Sequence, residues 1–121
     1  MKEIRKQGAQ GDVLFRRVAY LPDGLVEAKS LVVAHSETGH NHEVAPQPGV
    51  KLKLYDVPDD PLRSYLVLGR GTSYADVVHK RGWDTHEALR LINESPGEGE
   101  VIFEVRRQRE HTPAGWRPAL D

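Results

Sequence analysis

Apolar and polar residues alternate along several short stretches of this chain, which is the period of β-strands that bury one face. Residues 50–57 place Leu52 and Leu54 on one face and Lys53 and Tyr55 on the other. Further strand-like runs lie at residues 12–20, 30–35, 64–68 and 101–107. Clusters of Pro, Gly and Asp separate these runs, so the pattern predicts a succession of short strands joined by turns.

The stretch from residue 74 to residue 93 is the ambiguous part of the pattern. Residues 74–80 are compatible with a helix or a strand. Asp84 and Glu87 have the spacing of a capping box, which by propensity favours a short helix over residues 85–93. We therefore expect a mainly-β domain, a small antiparallel barrel or sandwich, with a short helix or a further strand near residues 85–93.

The chain has 121 residues, which is enough for one domain with a single core. We expect a polar lead-in over residues 1–10, one β-rich domain over residues 11–111, and an irregular tail over residues 112–121 that contains two prolines and a glycine. The lead-in has no apolar run typical of a signal peptide.

Composition narrows the function classes. The net charge is -1, so we expect no general attraction to nucleic acid. The chain contains no cysteine, which excludes disulfides, thiolate metal ligands and a cysteine nucleophile. No apolar run approaches the roughly 20 residues that span a bilayer. These features predict a cytoplasmic protein without a membrane partner.

Two histidines, His40 and His42, are the first candidates for a site. Residues at i and i+2 of an extended strand point to the same face, so both imidazoles can reach one metal ion. An open metal site commonly has three protein ligands and a water, and His79 and His86 are the candidates for the remaining ligand position. These donors predict a divalent metal ion: zinc, manganese, iron or nickel.

Two carboxylates, Glu43 and Glu37, lie near the histidine pair and are expected to orient a ligand imidazole or to replace a ligand. Cupin barrels carry a comparable His-x-His pair, but Glu43 follows His42 directly here, so the analogy is one of geometry only. The sequence contains no Walker loop, no Gly-x-Ser-x-Gly elbow and no His-Glu-x-x-His helix. It therefore leaves open whether the domain is an enzyme.

A second group of residues lies near the end of the chain. Arg107, Arg109 and Trp116 have the chemistry to contact an anion or a protein partner, although a short charge run is also typical of a solvated strand end. The alternative to a metal site is a non-enzymatic structural or protein-interaction module, in which the histidines pack at an interface. A homo-oligomer or a protein partner is expected in that case.

Three segments, in this order, resemble a family of small uncharacterised bacterial and phage-associated β-rich proteins. They are residues 10–14 (QGDVL), 36–42 (SETGHNH) and 107–111 (RQREH). The resemblance spans most of the chain but implies no activity. It implies that His79 and His86 match a paired-histidine segment before the final strand, although their spacing is longer than in the family, and that His111 replaces a usual aromatic.

The same resemblance implies that residues 85–91 are extended, against the helix that propensity favours. We therefore predict a strand there, because tertiary context commonly overrides local propensity. A phage-encoded member would be virion-associated instead of cytoplasmic, and its role would be the structural or interaction one.

Overall fold

The computed structural model describes residues 2–34, 41–81, 84–85, 88–107, 109–112 and 115–118. All regular structure in these residues is β, and no helix occurs among them. The strands are β1 (Lys2–Ile4), β2 (Gln7–Gln10), β3 (Val13–Val18), β4 (Val26–Glu27), β5 (Val32–Ala34), β6 (His42–Pro46), β7 (Lys53–Val57), β8 (Asp60–Leu68), β9 (Tyr74–Arg81), β10 (Asp84–Thr85), β11 (Leu89–Ile92), β12 (Val101–Arg107), β13 (Arg109–Thr112) and β14 (Gly115–Pro118).

The strands form two packed sheets and a separate hairpin. The first sheet has the order β1-β11-β9-β6-β5, with β10 paired to β9, and the second has the order β2-β3-β12-β8-β7-β4. β13 pairs only with β14. The pairings are antiparallel except for β1 with β11. The predicted β-sandwich is confirmed, and the alternative of a closed barrel is wrong because the two sheets remain separate ladders.

The main core lies between the two sheets. Val77 and Leu91 of the first sheet share one cluster with Phe15, Leu66 and Phe103 of the second, and these side chains are almost fully buried. Alternation supplies these residues, because every second side chain of a strand points to the same face. Burying one such side chain stabilises the fold by about 1.5–3 kcal/mol, so this layer is the main reason that the sheets pack.

The second sheet also buries part of its outer face. Tyr65, Val67 and Ile102 form a smaller cluster there, and Leu21 and Leu25 of the segment between β3 and β4 pack against it. The central strand β12 is therefore covered on both faces. Ile102 and Glu104 are both 5% exposed, although simple alternation suggests that they face solvent.

Some sequence expectations need correction. The strand predicted over residues 85–91 is confirmed where β11 covers residues 89–91, and the alternative of a short helix there is wrong, because β11 pairs with both β9 and β1. Residues 1–10, expected as a polar lead-in, include β1 and β2, and residues 115–118 of the tail, expected to be irregular, form β14, which pairs with β13.

We expect Phe103→Ala to destabilise the domain by about 3–5 kcal/mol, because it removes a fully buried ring and leaves a cavity between the sheets. Urea denaturation followed by tryptophan fluorescence measures the change. Val26→Ala is the control, since Val26 is 56% exposed and its truncation should have little effect. Equal losses in the two variants would contradict this placement of the core.

Candidate functional site

A buried histidine, His42, lies between the two sheets at the start of β6. Its Nδ1 is 2.8 Å from Oε1 of Gln10, and Nε2 of Gln10 donates to the carbonyl oxygen of Val77 at 2.9 Å. Because the Gln10 amide nitrogen faces a carbonyl, the Gln10 oxygen must be the acceptor, and Nδ1 of His42 carries the proton. Gln10 therefore fixes the imidazole tautomer and directs Nε2 to the other side of the ring.

The Nε2 side of His42 faces a carboxylate. Nε2 is 3.6 Å from Oδ1 of Asp12, and the other oxygen of Asp12 accepts a hydrogen bond from Nε of Arg107 at 3.0 Å. The side chains of Asp12 and Arg107 are 8% and 15% exposed, so this ion pair is largely shielded from water. Charges are stabilised in such an environment only when they are paired. The result is a polar chain, Gln10–His42–Asp12–Arg107, that joins the two sheets.

The backbone places these residues at one end of the sandwich. Gln10 ends β2, and Asp12 lies in the turn that leads into β3. Gly11 between them has φ of 58°, a left-handed conformation that glycine adopts without strain and that allows this tight turn. Arg107 ends β12 opposite Val13 of β3, which brings its guanidinium beside the turn.

The structure describes some of the ligands predicted from the sequence and not others. His42 is in the polar chain, and the antiparallel ladder pairs its Cα with that of His79 on β9. Glu43 is half-buried and follows His42 on β6, so strand alternation assigns it to the opposite face. His40, His86 and Glu37 lie outside the described residues, as does the side chain of His79.

The second predicted group also divides. Arg107 bonds to Asp12 as described above. Arg109 and Trp116 belong to β13 and β14, and their side chains lie outside the described residues. Their roles in contacting an anion or a partner remain predictions.

Sequence reasoning did not assign Gln10 and Asp12 to the site. They stand in the first of the three segments that carried the family resemblance, whereas His42 stands in the second and Arg107 in the third. The structure therefore brings residues of all three segments into one chain of polar contacts. The available signal was two polar residues around a glycine directly before a buried strand.

Within the described parts of the chain, no group of three or more His, Asp or Glu residues is arranged to hold a metal ion. The described residues also contain no helix that is long and apolar enough to cross a membrane.

The fold and the site together define a small two-sheet β-domain with a buried, histidine-centred polar chain. A family model matches residues 9–108, and the chain belongs to this family, the domain of unknown function DUF8820. The matched range includes Gln10, Asp12, His42 and Arg107. No curated protein and no solved structure matches the chain.

We expect Gln10→Leu to destabilise the domain by about 2–4 kcal/mol, because the Nδ1 proton of His42 and the carbonyl of Val77 both lose a buried partner. Chemical denaturation measures the difference from the unmodified protein. Gln7→Leu is the matched control, since Gln7 is exposed on the same strand. A Gln10→Leu protein as stable as Gln7→Leu would refute the role of Gln10 as a buried bridge.

Proposed function

We propose that this domain binds a divalent metal ion at the His42 end of the sandwich, with Nε2 of His42 and the carboxylate of Asp12 as ligands. The observation that carries the proposal is the hydrogen bond that fixes Nδ1 of His42 to Gln10. Metal-binding histidines typically donate their second ring N–H to an oxygen acceptor, which fixes the tautomer and orients the ligating nitrogen toward the metal. Gln10 has this relation to His42.

The spacing of the two ligand atoms supports the same proposal. Two atoms that bind one zinc ion at about 2.0–2.1 Å with tetrahedral angles lie roughly 3.3 Å apart. Nε2 of His42 and Oδ1 of Asp12 are 3.6 Å apart, close to this value and longer than a good hydrogen bond. Arg107 holds the other oxygen of Asp12, so the carboxylate is already oriented toward the imidazole.

A complete site needs further ligands, and we propose them among His40, His79 and His86. The pairing of His42 with His79 supports the choice of His79, because it puts the two residues at one register position of adjacent strands. Glu37 and Glu43 remain proposed orienting groups or alternative ligands. Imidazole and carboxylate donors suit zinc, manganese, iron or nickel.

A metal held by three protein ligands keeps a position for water, whose pKa it lowers, or for a substrate oxygen that it polarises. This chemistry is compatible with a hydrolytic or a lyase-type reaction. Metal binding itself is the proposed function.

The second candidate function is a non-enzymatic structural or protein-interaction module. One observation favours it: His42 is fully buried and each of its ring nitrogens faces a protein group, so the polar chain already contributes to joining the sheets. The two candidates differ in whether the network gains stability from a metal ion.

We expect protein purified without a histidine tag to contain about one equivalent of metal by elemental analysis, and the apoprotein to gain thermal stability on adding zinc, manganese or nickel. Asp12→Asn and His42→Gln should each abolish the metal-dependent gain, because each removes one ligand. Asp23→Asn, which changes an exposed turn residue, is the control and should retain it.

Absence of metal from the purified protein, together with no thermal shift on adding any of the three ions, would reject the metal site. If His42→Gln lowers the thermal stability, relative to the unmodified protein, by the same amount with and without added metal, the structural module is favoured. Light scattering on the same samples measures whether a homo-oligomer forms.

A further inference from the structure

A second buried charge lies on the outer face of the second sheet. Glu104 of β12 is 5% exposed, and Tyr65 donates its hydroxyl hydrogen bond to Oε2 of this carboxylate at 3.1 Å. Nε of Arg106 donates to Oε1 at 2.8 Å, and Nη2 of Arg16 donates to the same oxygen at 3.2 Å. One carboxylate therefore holds two guanidinium groups.

The strand register creates this arrangement. Glu104 is opposite Arg16 on β3 and opposite Tyr65 on β8, so the three residues form one row across the sheet. Burial, and then the hydrogen bond to Glu104, raise the pKa of Tyr65 above its ordinary value. The phenol consequently stays a neutral donor, and the row together with Arg106 carries one negative and two positive charges at neutral pH.

The excess positive charge faces a cavity of about 460 Å³. Arg16, Arg106 and Glu104 line one part of it, and the apolar residues Ala9 and Leu14 line another. The side chains of Arg16 and Arg106 are 59% and 53% exposed, so both guanidinium groups reach the solvent. Each guanidinium has five N–H donors, and the contact with Glu104 occupies only a minority of them.

This combination is suited to anion binding. Guanidinium groups recognise carboxylate and phosphate oxygens through paired hydrogen bonds. The buried carboxylate of Glu104 holds both arginines in place before a ligand arrives, which reduces the entropy cost of binding. A second cavity, of about 430 Å³, is lined by Lys29, Arg63 and Arg107 together with Asp56 and Asp60, and there Arg63 and Arg107 each have a carboxylate partner of their own, Asp60 and Asp12.

We propose that the cavity beside Glu104 binds a small organic anion, whose carboxylate or phosphate group contacts Arg16 and Arg106 and whose apolar part lies against Leu14 and Ala9. Glu104 acts as a positioning residue for the two arginines. The site is on the opposite face of the sheet from His42 and does not depend on the metal proposal.

The experiment is a titration of the ¹⁵N-labelled full chain followed by NMR, with inorganic phosphate, benzoate and phenyl phosphate as three separate probes. We expect shifts centred on the amides of Leu14, Arg16 and Arg106, with phenyl phosphate binding more tightly than inorganic phosphate because its ring covers the apolar part of the cavity. Stronger binding of benzoate or of phenyl phosphate distinguishes a carboxylate ligand from a phosphate ligand.

Arg16→Gln and Arg106→Gln should each weaken binding of the best probe at least tenfold, the equivalent of about 1.4 kcal/mol. Arg16→Lys keeps the charge but loses the planar donor pair, so its affinity for the probe should lie between that of the unmodified protein and that of Arg16→Gln. Arg70→Gln is the matched control, because Arg70 is exposed, bonds to the carbonyl of Gly97 and lies outside the cavity lining. A dispersed NMR spectrum confirms that each variant is folded.

Three results would overturn the proposal. One is that none of the three probes shifts the named amides at millimolar concentration while the spectrum shows a folded protein. Another is that the arginine variants bind the probes as well as Arg70→Gln does. Retention of a single-stranded oligonucleotide that is lost in the same arginine variants would also overturn it, in favour of a nucleic-acid surface.

Discussion

Strand β12 is the element on which the rest of the structure depends. Its side chains must be buried or paired on both faces of the sheet, and its backbone groups must be hydrogen-bonded along both edges. It pairs with β3 on one side and with β8 on the other, so its backbone is hydrogen-bonded to a neighbouring strand along each edge. Phe103 and Val105 enter the main core, and Ile102 enters the outer cluster. The alternation then continues into charged residues, where Arg107 turns inward and Arg106 outward.

Both polar networks follow from this double burial. A carboxylate that loses its water must regain an equivalent stabilisation, and in each network arginines supply it. On the inner face of the sheet Asp12 forms an ion pair with Arg107. On the outer face Glu104 forms ion pairs with Arg16 and Arg106. The inner network also includes an oriented imidazole, whereas the outer one has an excess cation beside a cavity. This difference in composition is the physical basis for assigning different ligands to them.

Local sequence predicts the strands better than it predicts what surrounds them. Val101–Arg107 was expected as a strand and is observed with the same bounds, because its alternation is regular and Gly and Pro residues precede it. Residues 89–92 carry leucine and isoleucine that suit a helix equally, and only their pairing with β9 and β1 makes them a strand. Such pairing depends on residues far away in the chain.

The candidate site divides in the same way. His42 was recognisable from its spacing with His40, but its contact with Gln10 joins residues that are 32 positions apart, and the Arg107–Asp12 contact spans 95 positions. No local pattern encodes such distances. The burial of Glu104 was equally hidden, since its partners Arg16 and Tyr65 lie 88 and 39 positions away in the chain.

The geometry of β12 also bears on whether the two networks communicate. Arg106 and Arg107 are adjacent in sequence, yet their side chains leave the sheet in opposite directions. Coupling between sites requires an element that has two arrangements which both ligands bias. If β12 rotated so that Arg107 faced outward, Arg106 would face inward. This rotation would break the backbone pairing of β12 with both β3 and β8. The central strand therefore places the two networks on opposite faces of the second sheet.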